Sequence, residues 1–406
     1  MSPLLLAWSN LAHKRGRTAI AAGGVAFAVV LIFMELGLLG GVGRTATMLF
    51  DKLNFDLLIT SAEYLDLSRA GEFDRGRVAQ AHAARGVADV IPLSVGAGGW
   101  RVPARDGLFG PTPGGAVMSI NMIGVPPGRL DRAFLLGPGG AFPTAEDARA
   151  AGAAVSRLDS FLFDRRSKAE FGDPARLIAA SQDPDAPDPV RLNGMQAAVV
   201  GTFDLGTGFS WNGMLIASEE TMAKFTGRRP GGVDFGLVQL EPGADPAAVK
   251  DELESILPPD VRVFTRDELN ASERRYWLRL TSVGQFLVVA VVLAVVVGVI
   301  FVYQMMAADI RNMLPEYATV KALGYRPPYL TGVVLWQAAL LAGLGYAPGF
   351  VASLGLYAAA REYGGIPTGM TAAVAAGVLV LTLGMCLASG RLAVRKVHTA
   401  QPADLF

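Results

Sequence analysis

Few residues of this chain are of types and spacings that do covalent or metal chemistry. Its three histidines, His13, His82 and His398, lie far apart, and its single cysteine, Cys386, sits inside an apolar stretch. No Cys/His spacing resembles a zinc site, and one thiol cannot close a disulfide within the chain. A phosphate-cradling loop requires a Gly-Lys pair, and none of the seven lysines follows a glycine. The chain therefore has no ATP-hydrolysing loop of that kind. The G-x-S-x-G, H-E-x-x-H and S-x-x-K constellations are also missing. Gly343-Leu344-Gly345 with Gly349 imitates a nucleotide loop, but it lies in an apolar run, where glycines let helices approach closely. Gly37/Gly41 and Ala294/Gly298 are spaced the same way. No residue is a candidate for catalysis, cofactor binding or metal ligation.

Two residues stand out inside apolar stretches. Glu35 is the one ionisable side chain there, and a carboxylate in a bilayer costs a few kcal/mol. It lies past the midpoint of its stretch, toward one end, so a solvated or interface-facing carboxylate and a proton relay both fit it. Pro348 should kink or break its helix. The two are candidates for a membrane hinge or interface.

The elements that hold these residues are four long apolar runs in a 1 + 3 pattern. Thr18–Gly43 contains only Glu35 as a charge, and the charge-free runs are Thr281–Tyr303, Tyr329–Ala360 and Thr371–Gly390. Each reaches the roughly 20 residues needed to span a bilayer core. Hydrophobic residues make up 51% of the chain and mean hydropathy is +0.37, as four spans plus a large water-facing insert require. Net charge is zero, and cations do not cluster on the insert, which excludes a general nucleic-acid-binding role.

Cations set the orientation. Lys14, Arg15 and Arg17 precede the first span, Arg311, Lys321 and Arg326 join the second to the third, and Arg391, Arg395 and Lys396 follow the fourth. The positive-inside rule places all three segments, and both termini, in the cytoplasm and the insert outside. The expected fold is an α-helical membrane protein with four transmembrane helices and a large α/β periplasmic domain between the first and second. Residues 1–17 read as a helix on the membrane surface, or alternatively as an inward extension of the first span (18–43). The periplasmic domain covers 44–278, and a membrane domain 279–406, with spans near 281–303, 329–358 and 371–390.

Within the insert, Phe55–Thr60, Asp74–Ala84 and Val87–Val95 read β-α-β, and so do Val233–Leu240, a helix opened by Asp245-Pro246, and Val261–Phe264. Two such units far apart predict a split ferredoxin-like part, with a β-rich subdomain inserted at about 100–229. On the cytoplasmic side, Pro315 to Tyr325 opens with Pro, keeps helical spacing and reaches Gly324 as a stop. A short helix within about 310–325 is expected, either a plain connector or a coupling helix that docks on a cytoplasmic motor.

That segment, Glu316-Tyr317-Ala318-Thr319-Val320-Lys321-Ala322-Leu323-Gly324-Tyr325, together with the 1 + 3 topology, resembles the FtsX/MacB-type permeases of ABC transporters. The tail from Arg395 to Phe406 is similar to the closing pattern of that family, with Gln401 in place of its acidic residue. More narrowly, Ala26–Gly37, Phe163–Gly172 and Gly201–Gly206 resemble the DevC branch, which more often has Gln where Glu35 stands. The resemblance implies that Glu316, Tyr317, Thr319, Lys321, Ala322, Leu323 and Gly324 contact an ATPase. It implies a homodimer in the inner membrane, served by a separate MacB-type ATPase that supplies ATP and Mg, a HlyD-like periplasmic adaptor and a TolC-like outer-membrane channel. The implied activity is export of a lipid-like or other hydrophobic substrate, driven by movement passed through long helices rather than by passage between them. An FtsX-like signalling platform that regulates cell-wall hydrolases, or a lipoprotein-extracting permease, are the competing readings.

The orientation is directly testable in a Cys386→Ala background. Impermeant thiol reagent applied to intact spheroplasts should label a Lys224→Cys variant and leave a Lys321→Cys variant unlabelled; the opposite pattern reverses the topology.

Overall fold

The computed structural model describes residues 2–399 apart from 14, 103–104, 108–109, 113, 184, 186–188, 209–210, 230, 323–326 and 365–366, and side chains outside 103–113, 309–327, 330, 363–366 and 395–399. The chain divides into two compact units, Met1–Gly41 with Ser282–Phe406, and Val42–Thr281. Helix α1 (Pro3–His13) precedes α2 (Arg15–Thr45), the first span. The Thr18 hydroxyl donates to the Leu11 carbonyl at 2.8 Å. Seven residues of straight helix rise about 10 Å, so α1 turns back rather than extending the span. It buries Ala7 and Leu11 and leaves Leu4, Leu5 and Trp8 exposed, the faces a surface-lying helix needs.

The soluble unit opens with β1 (Leu57–Ser61), α3 (Gly76–His82) and β2 (Val87–Arg101). Then follow β3 (Val117–Gly124), α4 (Ala145–Val155), β4 (Ser160–Asp164), α5 (Pro174–Gln182), β5 (Ala198–Phe203), β6 (Met214–Ala217) and α6 (Glu219–Thr226). It closes with β7 (Phe235–Leu240), α7 (Pro246–Ile256), β8 (Val261–Thr265) and α8 (Arg266–Arg275). The helices start where side chains can take up their free amides. Thr144, Asp173, Ser218 and Asp245 each accept an N-terminal backbone N–H, with Pro at the first turn of α5 and α7. Thr265 and Glu268 form a reciprocal capping box at α8.

The principal strands lie in the order β5-β4-β6-β3-β2-β7-β1-β8. The last four, antiparallel throughout and linked β-α-β twice, have ferredoxin-like connectivity with everything from β3 to α6 inserted between the halves. The sequence places the start of the insert near Trp100, and the structure puts that residue inside β2. That 15-residue strand pairs with β7 from Val87 to Leu93 and with β3 from Ser94 to Arg101, so both halves share it. The inserted part is mixed α/β rather than simply β-rich. Helix α4 buries Ala148, Gly152 and Val155, small residues whose spacing is helical but whose composition resembles a loop.

The membrane unit continues with α9 (Ser282–Ala322), α10 (Pro327–Gly364) and α11 (Ala372–Thr399). With α2 they provide four helices long and apolar enough to cross a membrane. Each outruns the run read from sequence, because a helix satisfies its own backbone and does not stop where side chains become polar. Glycines seat α2 in this bundle. A Cβ at Gly349 would stand 2.8 Å from Val29 Cγ1 and 2.9 Å from the Ala26 carbonyl oxygen, and one at Gly345 would meet Val25 and, at 2.9 Å, the Ala22 oxygen. Gly24 faces Phe301, and Gly298 faces Ala28 and Met385. In lipid, close backbone approach and dispersion replace the hydrophobic drive.

Substituting Gly345 by Leu should therefore destabilise the full chain in detergent by about 1–3 kcal/mol, read as a lowered thermal midpoint. Gly343→Leu, where nothing lies within 4 Å, should leave the midpoint unchanged.

Candidate functional site

The site residues expected in the membrane unit fall in three places. Helix α9 runs unbroken from Ser282 to Ala322, so Glu316, Tyr317, Thr319, Lys321 and Ala322 form the end of the second span's own helix. They do not form a separate short helix, since the backbone hydrogen-bond ladder carries on through the polar stretch after the span. Leu323 and Gly324 lie outside the described residues. Glu35 is partly buried on α2 and makes no hydrogen bond or ion pair among the described residues. Pro348 is exposed inside α10, which continues past it to Gly364, so it does not break the helix.

Near Glu35, the Tyr357 hydroxyl of α10 donates to the Phe33 carbonyl of α2, and its ring covers Gly37. Phe33 packs against Tyr346 and Phe350, with centroids 6.0 and 5.9 Å away. Thr368 donates to the Tyr357 carbonyl at 3.1 Å. This polar lock between two spans has no motif in the sequence; the Tyr357–Gly37 pairing depends on how α10 crosses α2.

In the soluble unit, the segments 163–172 and 201–206 form one junction. β4 and β5 run side by side in parallel. The buried Asp164 carboxylate ends β4 and accepts amides from Arg166 at 3.1 Å, Leu205 at 3.0 Å and Gly206 at 2.9 Å. Burial nonetheless pushes its pKa up, against the pull of those amides. Arg165 pairs with Asp204 at 3.5 Å. The loop held this way lays Gly206 on Met48 and Gly208 on Thr45. Thr45 is the last residue of the first span's helix. The junction thus grips the chain where that span ends.

A second clamp lies where β2 changes partners. The Val95 amide donates to Asp234 Oδ2 at 2.7 Å, and Arg228 Nη1 donates to the Val95 carbonyl at 3.1 Å. Arg228 also pairs with Asp234 and, at 2.8 Å, with Glu72. Asp234 is buried, which raises its carboxyl pKa despite the guanidinium beside it. The ion pair also borders a cavity of about 540 Å³ walled by the 67–72 loop, Trp211 and Met222. No sequence signal marks Arg228 and Asp234, since their role comes from the strand junction.

Residues 288–402 match the family described as FtsX-like permease C-terminal. The match covers the last three long helices of the membrane unit, which with α2 make four helices long and apolar enough to cross a membrane. No curated protein matches the chain. Among solved structures it is similar to the extracellular domain of the noncanonic ABC-type transporter YknZ from Gram-positive bacteria, at 14% identity over 53% of this chain and 98% of that one, TM-score 0.31. It is also similar to the periplasmic region of MacB from Actinobacillus actinomycetemcomitans, at 12% identity over 53% and 91%, TM-score 0.32. The ferredoxin-like assignment rests on the strand order itself.

Replacing Asp234 by Ala leaves the Arg228 charge half-paired and Val95 unsatisfied. The change should cost about 3–5 kcal/mol, seen as a lower denaturation midpoint of the full chain. Glu72→Ala, which removes only an exposed partner, should cost about 1 kcal/mol or less.

Proposed function

We propose that this chain is the permease subunit of an ATP-driven tripartite exporter of the DevC branch. It works as a homodimer with a separate MacB-type ATPase, a HlyD-like adaptor and a TolC-like outer-membrane channel. Its cargo is a lipid-like or other hydrophobic molecule, both termini are cytoplasmic, and ATP and Mg enter through the partner.

One observation carries this reading. α9 is a single helix of 41 residues, about 60 Å at 1.5 Å per residue and roughly twice the bilayer core. It begins one residue after the soluble unit ends at Thr281 and runs through the segment that resembles an ATPase contact. A continuous helix passes a push at one end to the other, where a flexible loop would dissipate it. In the same direction, Phe286, Val289, Leu293, Val297 and Ile300 of α9 are exposed, a face for lipid or for a second copy.

Co-expression with the candidate ATPase tests the proposal. The chain alone should hydrolyse no ATP above background. Ala322→Asp should weaken ATPase co-purification about tenfold or more and abolish export while membrane insertion persists. Unchanged ATPase affinity would make the end of α9 a mere connector, and a stimulated ATPase with no adaptor bound would move the chain to the signalling reading.

A further inference from the structure

Helix α8 leads through a five-residue π-helical turn, Tyr276–Leu280, into α9. On α8, Leu269 and Glu273 are one turn apart and both fully buried. A carboxyl at a position built for an apolar side chain requires partners; the Tyr64 hydroxyl donates to Oε1 of Glu273, and the Leu67 amide and the Trp277 indole lie beside the carboxyl. Its Oε2 is buried without a partner, as is Oδ1 of Asp66. Glu273 forms no ion pair among the described residues.

The groups around it are accounted for element by element. The 62–72 loop supplies Tyr64 and Asp66, and Arg69 of the same loop acts on Asp66. The Leu67 amide and the Trp277 indole, the latter in the π turn, favour the anion. Phe235 of β7 and Phe264 of β8 pack on the Tyr64 ring with centroids 5.9 and 6.0 Å away and carry no charge. Burial, reinforced by Asp66, outweighs the donors and lifts the Glu273 carboxyl to about 8. The other face of the loop, from Leu67 to Glu72, walls the cavity beside Arg228.

We propose that Glu273 is a proton-binding latch at the root of the second span: protonated, it holds the 62–72 loop against α8, and ionised, it lets the loop leave. The neutral acid can donate from one oxygen while accepting from Tyr64 at the other. The anion faces Asp66, and no cation among the described residues pairs with it. Solvent on the insert's side of the membrane would thereby set how firmly the cavity wall is tied to α8. The latch does not depend on what the permease carries.

The sign follows from linkage. The closed carboxyl binds its proton more tightly than an opened, solvated one near 4.5, so closure is favoured at low pH and lost as pH rises toward about 8. Between those values the opening equilibrium should rise about tenfold per pH unit, and above them it should level off. Hydrogen exchange of the full chain in detergent, read on peptides covering 62–72 and corrected for intrinsic rates, tests this. Wild type should show the rise and the plateau. Glu273→Gln, which still accepts from Tyr64, should stay protected and flat. Asp66→Asn should retain the rise with its plateau reached at lower pH, because the opposing carboxylate is gone. A pH-independent wild type, or a Gln variant with the wild-type profile, overturns the latch. Should the Gln variant fail to fold, an Asp66→Asn profile superimposing on wild type overturns it as well.

Discussion

The soluble unit depends on one strand shared by the two halves of its sheet. Val87–Arg101 hands its hydrogen bonds from β7 to β3 near Ser94, and at that handover a main-chain N–H and C=O lose their strand neighbour. Unsatisfied, each would cost on the order of 1–3 kcal/mol. The Asp234 carboxylate and the Arg228 guanidinium take their place on Val95. Because the same two residues pair with each other, two halves that could otherwise splay are closed by a charged bridge. That bridge is buried, so its geometry matters more than its charge.

The membrane unit meets a different constraint. With lipid on the outside there is little hydrophobic drive for helix association, so contact must come from shape. Gly345 and Gly349 let α10 approach α2 to backbone distance, and Tyr357 over Gly37 adds a hydrogen bond to a main-chain carbonyl. Around these contacts lie Val25, Val29, Ile32 and Phe33, all nearly inaccessible.

The two ends of the soluble unit's chain are held by buried carboxyls. Asp164 orders the loop that lies on Thr45 and Met48, and Glu273 ties α8 to the loop beginning at Tyr64. They differ in their partners. Asp164 accepts three amides, whereas Glu273 keeps an orphan oxygen. The first is built to stay, and the second is poised near a proton exchange.

Much of this protein was legible in the residues alone. The 1 + 3 pattern, the two β-α-β units and the Asp245-Pro246 helix start are local or periodic signals, and local signals survive whatever the rest of the chain does. The absence of a Gly-Lys pair likewise needs no fold. The long helices run past the apolar stretches because hydropathy reports where lipid stops, while the helix is continued by its own backbone. The helices of the insert were hidden by small residues such as Ala148 and Gly152, whose burial comes from packing and not from hydrophobicity. Pro348, conspicuous in a row of apolar letters, leaves its helix unbroken. The pairs that organise the structure, Arg228 with Asp234 and Tyr64 with Glu273, are residues brought together across strands and loops. Tyr64 and Glu273 are 209 positions apart. A carboxylate's role is set by its depth and by what faces it, and only the tertiary fold decides those.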